Sequence, residues 1–379
     1  MSIKTLSKRM LAIVVAGAMT MGLAMPTSVF AAGGDTATET TEAYISKTFN
    51  TEVGKNETFS FNAEQVGGST EKVTIPDISF TGSETGTTTK RAKVSFPEWT
   101  DAGKYEYTVT ETGANPEITD TKHQTMIMSK AEYTMDVYVS NGDNGLEISN
   151  IIVNKKKDDK GTTATGKVDI SNTNKNGFNF TNTYVQEAGT GTDPINPDPI
   201  YNQFGSLNVS KKIVNANGTA KTSEDTFAFT ATFAFPTGTD ANTLGGIKDA
   251  NGKPVTLAEG GTYTFHLKAN ENMKFTGVPV GTTITVKESA TKNYKGSAEI
   301  TINGTQLTSV SATKYNAELT AVNNEKLGQK QNTVDVTNTY NDVPVTGIIM
   351  NTLPYVLMIA LCGAALMAFV AFKRRRLQN

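Results

Sequence analysis

The most constraining feature of this 379-residue chain is a series of short strand-like runs that occurs twice in the same order. In the first half the runs are ISK at 45–47, ETFSF at 57–61, YTVTE at 107–111 and FTNTY at 180–184. The corresponding runs in the second half are VSK at 209–211, DTFAF at 225–229, ITVKE at 284–288 and VTNTY at 336–340. Such self-similarity predicts two domains of one fold, and two copies are too few for a solenoid.

The alternation inside these runs predicts the fold class. Apolar and polar residues alternate in YTMDVYV at 133–139, turn residues follow in NGDNG at 141–145, and no helical periodicity is sustained between residues 32 and 346. We therefore predict an all-β protein with two tandem immunoglobulin-like β-sandwiches, at 40–185 and 206–341. The segment 186–205 contains three prolines and few core residues, which predicts a semi-stiff linker.

Both ends of the chain carry targeting patterns. Lys4, Lys8 and Arg9 precede an apolar stretch, and the sequence VFA at 29–31 supplies the small residues of a signal-peptidase cleavage site. Residues 1–31 are therefore predicted to be a cleaved signal peptide. Near the other end, the apolar run 348–372 is long enough to cross a membrane, and the basic tail 373–379 would stay on the cytoplasmic side. These patterns predict an exported protein.

Composition argues against several functions. The chain has 35 basic and 37 acidic residues, so it lacks the net positive charge that would attract nucleic acid. Its two histidines, His123 in a polar stretch and His266 on the outer face of a strand, do not predict a metal site. The single cysteine, Cys362, lies in the C-terminal tail, so residues 32–346 can form no disulfide. We expect no cofactor and no turnover enzyme, because no Ser/His/Asp or Cys/His set and no glycine-rich phosphate loop is present.

Strand alternation places one lysine, one glutamate and one asparagine of each repeat on the core face. Side chains two residues apart share a face, and each of these polar residues is in step with apolar neighbours. Lys212 is the competing lysine in its strand, but it alternates outward with Ser210. The six residues predicted to point inward are Lys47, Glu111 and Asn182 in the first domain and Lys211, Glu288 and Asn338 in the second.

Two explanations fit three buried polar residues per domain. One is a lysine–glutamate ion pair capped by asparagine, at a desolvation cost for both charges. The other is chemical: burial removes the proton from lysine and keeps one on glutamate, so the neutral amine can attack the carboxamide. The glutamate would then polarise the carboxamide and relay protons to the departing ammonia. The product would be a lysine–asparagine isopeptide bond.

The segment VPVTG at 343–347, followed by an apolar run and a basic tail, resembles the sorting signal of Gram-positive cell-wall proteins. The usual sortase motif is Leu-Pro-x-Thr-Gly, and Val343 in place of leucine resembles variants handled by dedicated, class C-like pilus sortases. The resemblance implies cleavage between Thr346 and Gly347 and attachment to peptidoglycan. The alternative is an ordinary C-terminal membrane anchor. Motif residues are Val343, Pro344, Val345, Thr346 and Gly347.

Together with the polar triads, this pattern resembles sortase-assembled major pilins of the streptococcal T-antigen type, whose relatives have collagen-adhesin B-like domains. The resemblance covers residues 43 to 347. It implies that Glu111 catalyses a bond between Lys47 and Asn182, and that Glu288 catalyses a bond between Lys211 and Asn338.

The resemblance also implies a lysine that joins subunits. The common Tyr-Pro-Lys-Asn pilin motif is missing, but Lys175, in NKNG at 174–177, lies shortly before the first asparagine, as in T-antigen-type pilins. Its neighbours predict an exposed turn. The alternatives are the lysines of a nearby polar loop, Lys155, Lys156, Lys157 and Lys160.

We therefore predict a structural backbone subunit of a covalently polymerised, wall-anchored pilus on the cell surface. Its expected partners are a pilus sortase, other copies of itself and peptidoglycan, with minor pilins as further candidates. The alternative hypothesis is a monomeric sortase-anchored surface protein or adhesin, which would give no covalent multimers.

Overall fold

The computed structural model describes residues 40–67, 72–112, 118–171, 175–192, 197–342 and the backbone of 346–376, with side chains of this last segment described over 355–370. The predicted signal peptide, 1–31, and the first three residues of the predicted sorting motif, 343–345, lie outside the described residues. β-Strands are the main regular structure of the described chain, and they are arranged as two sandwiches in sequence.

Over the residues that the structure describes, the first sandwich has ten strands in two sheets. One sheet has the order β4-β1-β10-β6 and the other has the order β3-β2-β5-β7-β8-β9. The strands are β1 (Tyr44–Thr51), β2 (Glu57–Gln65), β3 (Ile78–Phe80), β4 (Gly86–Lys93), β5 (Gly103–Thr112), β6 (Gln124–Ile127), β7 (Glu132–Gly142), β8 (Gly145–Lys157), β9 (Thr163–Val168) and β10 (Gly177–Gln186).

The second sandwich has the same plan. Its sheets have the orders β14-β11-β20-β16-β17, with β18 also paired to β16, and β13-β12-β15-β19. The strands are β11 (Leu207–Val214), β12 (Phe227–Ala234), β13 (Thr262–Leu267), β14 (Asn272–Phe275), β15 (Thr283–Glu288), β16 (Tyr294–Ile302), β17 (Thr305–Gln306), β18 (Val310–Ser311), β19 (Leu319–Lys326) and β20 (Thr333–Tyr340).

In each sandwich the first and last strands are parallel neighbours, β1 with β10 and β11 with β20. Their inward residues meet the facing sheet in a core of aromatic and branched side chains. In the first domain, Phe49, Phe59 and Phe80 pack with ring centroids 5.3 to 5.8 Å apart. The predicted all-β fold with two tandem immunoglobulin-like sandwiches is confirmed.

The segment predicted as a linker is packed along the second sandwich at its beginning. Gln186 accepts a hydrogen bond from Val280 N at 2.8 Å, and Ala188 N donates to Val278 O at 2.8 Å. Residues 185–190 are buried. A helix, α1 (Pro199–Phe204), then begins after Asp198, whose carboxylate accepts from Ile200 N at 3.0 Å.

Among the described residues, helical structure is otherwise limited to two 3₁₀ turns, Thr243–Gly245 and Glu259–Gly261, and to α2 (Thr346–Arg376). Within the part of the chain that the structure describes, no helix is both long enough and apolar enough to cross a membrane. The membrane span predicted over 348–372 is therefore not confirmed.

Candidate functional site: two buried lysine–glutamate–asparagine clusters

In the first sandwich, the paired strands β1 and β10 bring a lysine and an asparagine to the same part of the core. Phe49 lies opposite Asn182 in the parallel register, and Lys47 precedes Phe49 by two residues, so all three share the inner face. Glu111, from β5 of the facing sheet, lies between the two polar groups. Lys47 Nζ donates to Glu111 Oε2 at 2.8 Å, and Asn182 Nδ2 donates to Glu111 Oε1 at 2.7 Å.

The second sandwich repeats this arrangement. Ile213 lies opposite Asn338, and Lys211 is again two residues earlier on the first strand. Glu288, from β15, accepts from Lys211 Nζ at 2.6 Å and from Asn338 Nδ2 at 2.7 Å, both at Oε1. The structure thus brings together the predicted residues of each triad.

Both clusters are shielded from water. The side chains of Lys47 and Glu111 are 0% and 1% exposed, and those of Lys211 and Glu288 are 0% and 3% exposed. The two asparagines are also buried. Aromatic rings cover the amines: the Phe59 centroid lies 4.2 Å from Lys47 Nζ, and the Phe227 centroid lies 4.2 Å from Lys211 Nζ.

Burial determines the protonation of these groups. Desolvation lowers the pKa of Lys47 to about 8, although the Glu111 carboxylate opposes the change, and it lowers the pKa of Lys211 to about 8 in the same way. Desolvation also raises the pKa of Glu111 and that of Glu288. Each shift favours the neutral form, so each cluster can hold a neutral amine beside a protonated carboxyl group.

The orientation of each asparagine carboxamide decides which of the roles expected for the glutamate the contacts support. The carboxamide presents its nitrogen to the glutamate, rather than its oxygen, in both domains. The glutamate therefore touches the attacking amine and the leaving nitrogen, which suits proton transfer between them. Polarisation of the carbonyl oxygen requires another group.

Sequence alternation did not identify the polar neighbours of the first cluster. Ser129 N donates to Asn182 Oδ1 at 2.7 Å, and Met128 Sδ lies 3.3 Å from Asn182 Nδ2. Asp159 Oδ1 accepts from Ser129 Oγ at 2.6 Å and from Thr181 N at 2.8 Å. Met128 and Ser129 lie in the connection between β6 and β7, and Asp159 lies in the turn after β8, where side-chain direction cannot be inferred from a period of two.

The competing lysines are placed as follows. Lys212 is exposed on β11, with its side chain on the opposite face from Lys211. Lys175 is exposed in a turn just before β10 and has a positive φ of 49°.

The loop predicted to contain Lys155, Lys156 and Lys157 is wrong, because β8 continues to Lys157 through its pairing with β7. Lys160 is exposed in the turn that follows. Thr346 and Gly347 begin α2.

A further polar cluster lies where the first sandwich, the predicted linker and the second sandwich meet. Glu187 is buried; its Oε2 lies 2.6 Å from His123 Nδ1, and its Oε1 accepts from the hydroxyls of Tyr201 and Ser206, each at 2.7 Å. Gly277 N also donates to Oε1. Sequence reasoning missed this cluster because Glu187 lies in a segment predicted to be a linker. His266, in contrast, is exposed on β13, as predicted.

The His123–Glu187 contact should make stability depend on pH. The hydrogen bond to Glu187 raises the pKa of His123 above its usual 6.5, with a smaller contribution from Asp120 and an opposing one from Lys122. Burial alone would raise the pKa of Glu187, but the four hydrogen bonds to its carboxylate outweigh burial and lower the pKa below 4.5.

The sign of this effect follows from linkage. Because the pKa of His123 is raised in the folded state, its contribution to the free energy of unfolding is fully present below pH 6.5 and is lost as the pH rises through the raised pKa. Because the pKa of Glu187 is lowered, its contribution is present above pH 4.5 and is lost as the pH falls through the lowered pKa. His123→Gln should therefore lower the thermal midpoint most between these pH values. A thermal unfolding series across pH 4 to 9 checks this, with His266→Gln as the matched exposed control. Equal losses for His123→Gln at pH 5.5 and pH 9 would contradict it.

Among the described residues, no group of three or more His, Cys, Asp or Glu side chains is arranged to hold a metal ion. Cys362 is exposed and unpaired by disulfide.

Comparison with known proteins gives one family match over part of the chain and several distant structural matches. A family described as a domain of unknown function (DUF7601) matches residues 205–340, the range of the second sandwich. No curated protein matches the chain significantly. A major pilin from Streptococcus pyogenes is 18% identical, with 79% of this chain and 98% of that chain covered and a TM-score of 0.31.

Two further solved structures are more distant in sequence. The major pilin T-13 from Streptococcus pyogenes is 15% identical, over 80% of this chain and 98% of that one, with a TM-score of 0.31. An adhesin from Mobiluncus mulieris, which contains intramolecular disulfide, isopeptide and ester bond cross-links, is 14% identical over 76% and 85%, with a TM-score of 0.22. Likeness at this level says nothing about function.

Proposed function

We propose that this chain is a structural backbone subunit of a covalently polymerised pilus, and that each of its domains forms one internal isopeptide bond. The observation that carries the proposal is the pair of buried clusters, each of which joins the first and last strands of a sandwich through one lysine, one glutamate and one asparagine. The protein would be a substrate of assembly and not a turnover enzyme.

The bond-forming step follows from the contacts. The Lys47 Nζ lone pair attacks Asn182 Cγ, and the carbonyl electron pair moves to Oδ1. Glu111 Oε2 takes one proton from Nζ, and the proton carried on Glu111 Oε1 passes to Nδ2. The Cγ–Nδ2 bond then breaks, ammonia leaves, and the carbonyl forms again. Glu111 ends in its starting protonation state. In the second domain both nitrogens contact Glu288 Oε1, so this one oxygen would take the proton from Lys211 Nζ and pass a proton to Asn338 Nδ2.

In a fibre linked through Lys175 and Thr346, tension would enter and leave the second domain through the two strands joined there, and it would enter the first domain next to β10. β1 and β10 are the first and last strands of the first sandwich, and β11 and β20 hold the same positions in the second. A covalent bond between such strands would carry load past the hydrogen bonds of the sheets. This property suits a subunit of a fibre under tension.

Polymerisation would use a pilus sortase and one exposed lysine. The sortase would cut between Thr346 and Gly347 and hold Thr346 as a thioester, which a lysine amine of another copy would resolve. Lys175 is the proposed acceptor, because it is exposed in a turn immediately before β10. A peptidoglycan amine would finally attach the base of the fibre, and minor pilins are further candidate partners.

Covalent multimers on the cell surface test this function. Wall extracts boiled in SDS should show a ladder of multimers for the wild type and monomers for Thr346→Ala, because no thioester can form. Lys175→Arg should also give monomers, since a guanidinium does not replace the amine. Immunoblotting of extracts from cells that produce the protein and its sortase provides the measurement.

The matched control is Lys212→Arg, which changes an exposed lysine on β11 and should leave the ladder intact. A ladder that persists in Lys175→Arg, and disappears on replacing Lys155, Lys156, Lys157 or Lys160, would reassign the linking lysine. Monomers alone in the wild type would reject polymerisation and favour a monomeric wall-anchored adhesin.

A further inference from the structure

The two clusters differ at the carbonyl oxygen of the asparagine. In the first domain, Asn182 Oδ1 accepts a hydrogen bond from the main-chain N–H of Ser129 at 2.7 Å. In the second domain, Asn338 Oδ1 is buried and has no hydrogen-bond partner among the residues that the structure describes. The carbonyl oxygen is the atom that gains negative charge when the lysine attacks, so this difference bears directly on the reaction.

The contact with Ser129 also fixes the orientation of the Asn182 carboxamide. A main-chain N–H can only donate, so the group that faces Ser129 must be the oxygen, and the amide nitrogen must face Glu111. Asn338 has no such donor, and the hydrogen bond to Glu288 is the contact that orients its carboxamide.

The reason for the difference is where a neighbouring strand ends. β6 runs antiparallel to β10 and pairs with it from Gln124 to Ile127. Its last residue, Ile127, lies opposite Thr183, so the pairing stops one residue short of Asn182. The chain then turns away, and the N–H of Ser129 points at the carboxamide. In the second domain, β16 continues past the corresponding position, with Gly296 opposite Asn338 and Thr301 opposite Thr333.

The Ser129 turn is held by hydrogen bonds of its own. Ser129 Oγ donates to Asp159 Oδ1 at 2.6 Å, Ala131 N donates to Ser129 Oγ at 3.2 Å, and Thr181 N donates to the same Asp159 oxygen at 2.8 Å. The donor is therefore already in position before the reaction. Preorganised donors of this kind stabilise a developing oxyanion without a reorganisation cost.

We infer that the main-chain N–H of Ser129 is the oxyanion donor for bond formation in the first domain, and that the second domain reacts without a counterpart. The inference rests on the proposed isopeptide function. When Lys47 Nζ bonds to Asn182 Cγ, the electron pair that moves to Oδ1 is stabilised by this N–H; it returns to the carbonyl as Nδ2 leaves as ammonia. In the wild type, the first crosslink should form faster than the second.

Removal of the N–H without removal of the side chain is the sharpest test. Residues 32–346 are purified unfolded, refolded by dilution and quenched in acid at intervals; the Lys47–Asn182 and Lys211–Asn338 crosslinked peptides are then quantified by mass spectrometry after digestion. Replacement of Ser129 by its α-hydroxy analogue, which converts the amide to an ester, should slow the first crosslink about 10²-fold. Ser129→Pro also lacks the N–H, and the fraction of this variant that folds should show the same slowing of the first crosslink.

Glu132→Gln, which removes the ion pair with Lys157 outside the cluster, is the matched control; its rate should remain near that of the wild type. The second crosslink of every variant is an internal control for refolding and should form at the wild-type rate. A folded ester variant whose first crosslink slows by less than about tenfold, or an equal slowing in Glu132→Gln, would overturn the oxyanion role. Absence of ammonia loss in both domains of the wild type would instead overturn the isopeptide chemistry itself.

Discussion

Residues 32–346, produced and folded without any other protein, should weigh about 34 Da less than their sequence mass, because each isopeptide bond expels one ammonia of about 17 Da. Glu111→Gln should restore about 17 Da, Glu288→Gln should restore the other, and the double variant should have the full sequence mass. Intact-mass spectrometry of the denatured chain measures all four values.

The glutamine substitutions isolate the proton transfer. Glutamine has nearly the shape of glutamate, but its amide cannot take a proton from the lysine amine and pass one to the leaving nitrogen. In the structure Glu111 contacts both of these nitrogens, at 2.8 Å and 2.7 Å, so one residue would serve both transfers. The neighbouring domain should react normally in each single variant.

The control for this experiment is Glu132→Gln, which removes an exposed ion pair between Glu132 and Lys157 in the first sandwich. Its mass should show the same deficit as the wild type. A wild-type chain at its full sequence mass would reject both isopeptide bonds and leave the clusters as buried ion pairs. A deficit retained in Glu111→Gln or Glu288→Gln would reject the role assigned to that glutamate.

The sequence predicted the triads because strand alternation determines which face a residue occupies. Once Lys47 is in step with Ile45 and Phe49, and Asn182 with Phe180, their inward direction follows without knowledge of the sheet order. Repetition of the same parity in the second half supplied an independent check. The fold class could be predicted for the same reason.

The Ser129 donor could not be predicted in this way. Its direction depends on the end of β6 at Ile127, and strand ends are not determined by a period of two. Glu187 was missed for a different reason, since a polar residue in a proline-containing segment gives no sign of burial in the sequence. Its carboxylate becomes buried only because Gln186 and Ala188 pair with residues of the second sandwich.

The contour length released under tension should differ strongly between the crosslinked chain and its glutamine variants. A chain pulled through its two ends should show no unfolding length from the roughly 135 residues between Lys47 and Asn182, because the bond joins β1 directly to β10. In Glu111→Gln, unfolding of the first sandwich should release about 450 Å of contour length, and Glu288→Gln should release a similar length from the second.

Single-molecule force spectroscopy of residues 32–346, with a handle at each end, measures these lengths; Glu132→Gln serves again as the control and should extend like the wild type. Release of about 450 Å from a wild-type chain whose mass shows both bonds would mean that load does not pass through them. Release from the wild type and every variant alike would mean that the sheets alone resist tension. The expected contrast depends only on which strands are joined, because a covalent bond between the first and last strands leaves the residues between them outside the loaded path.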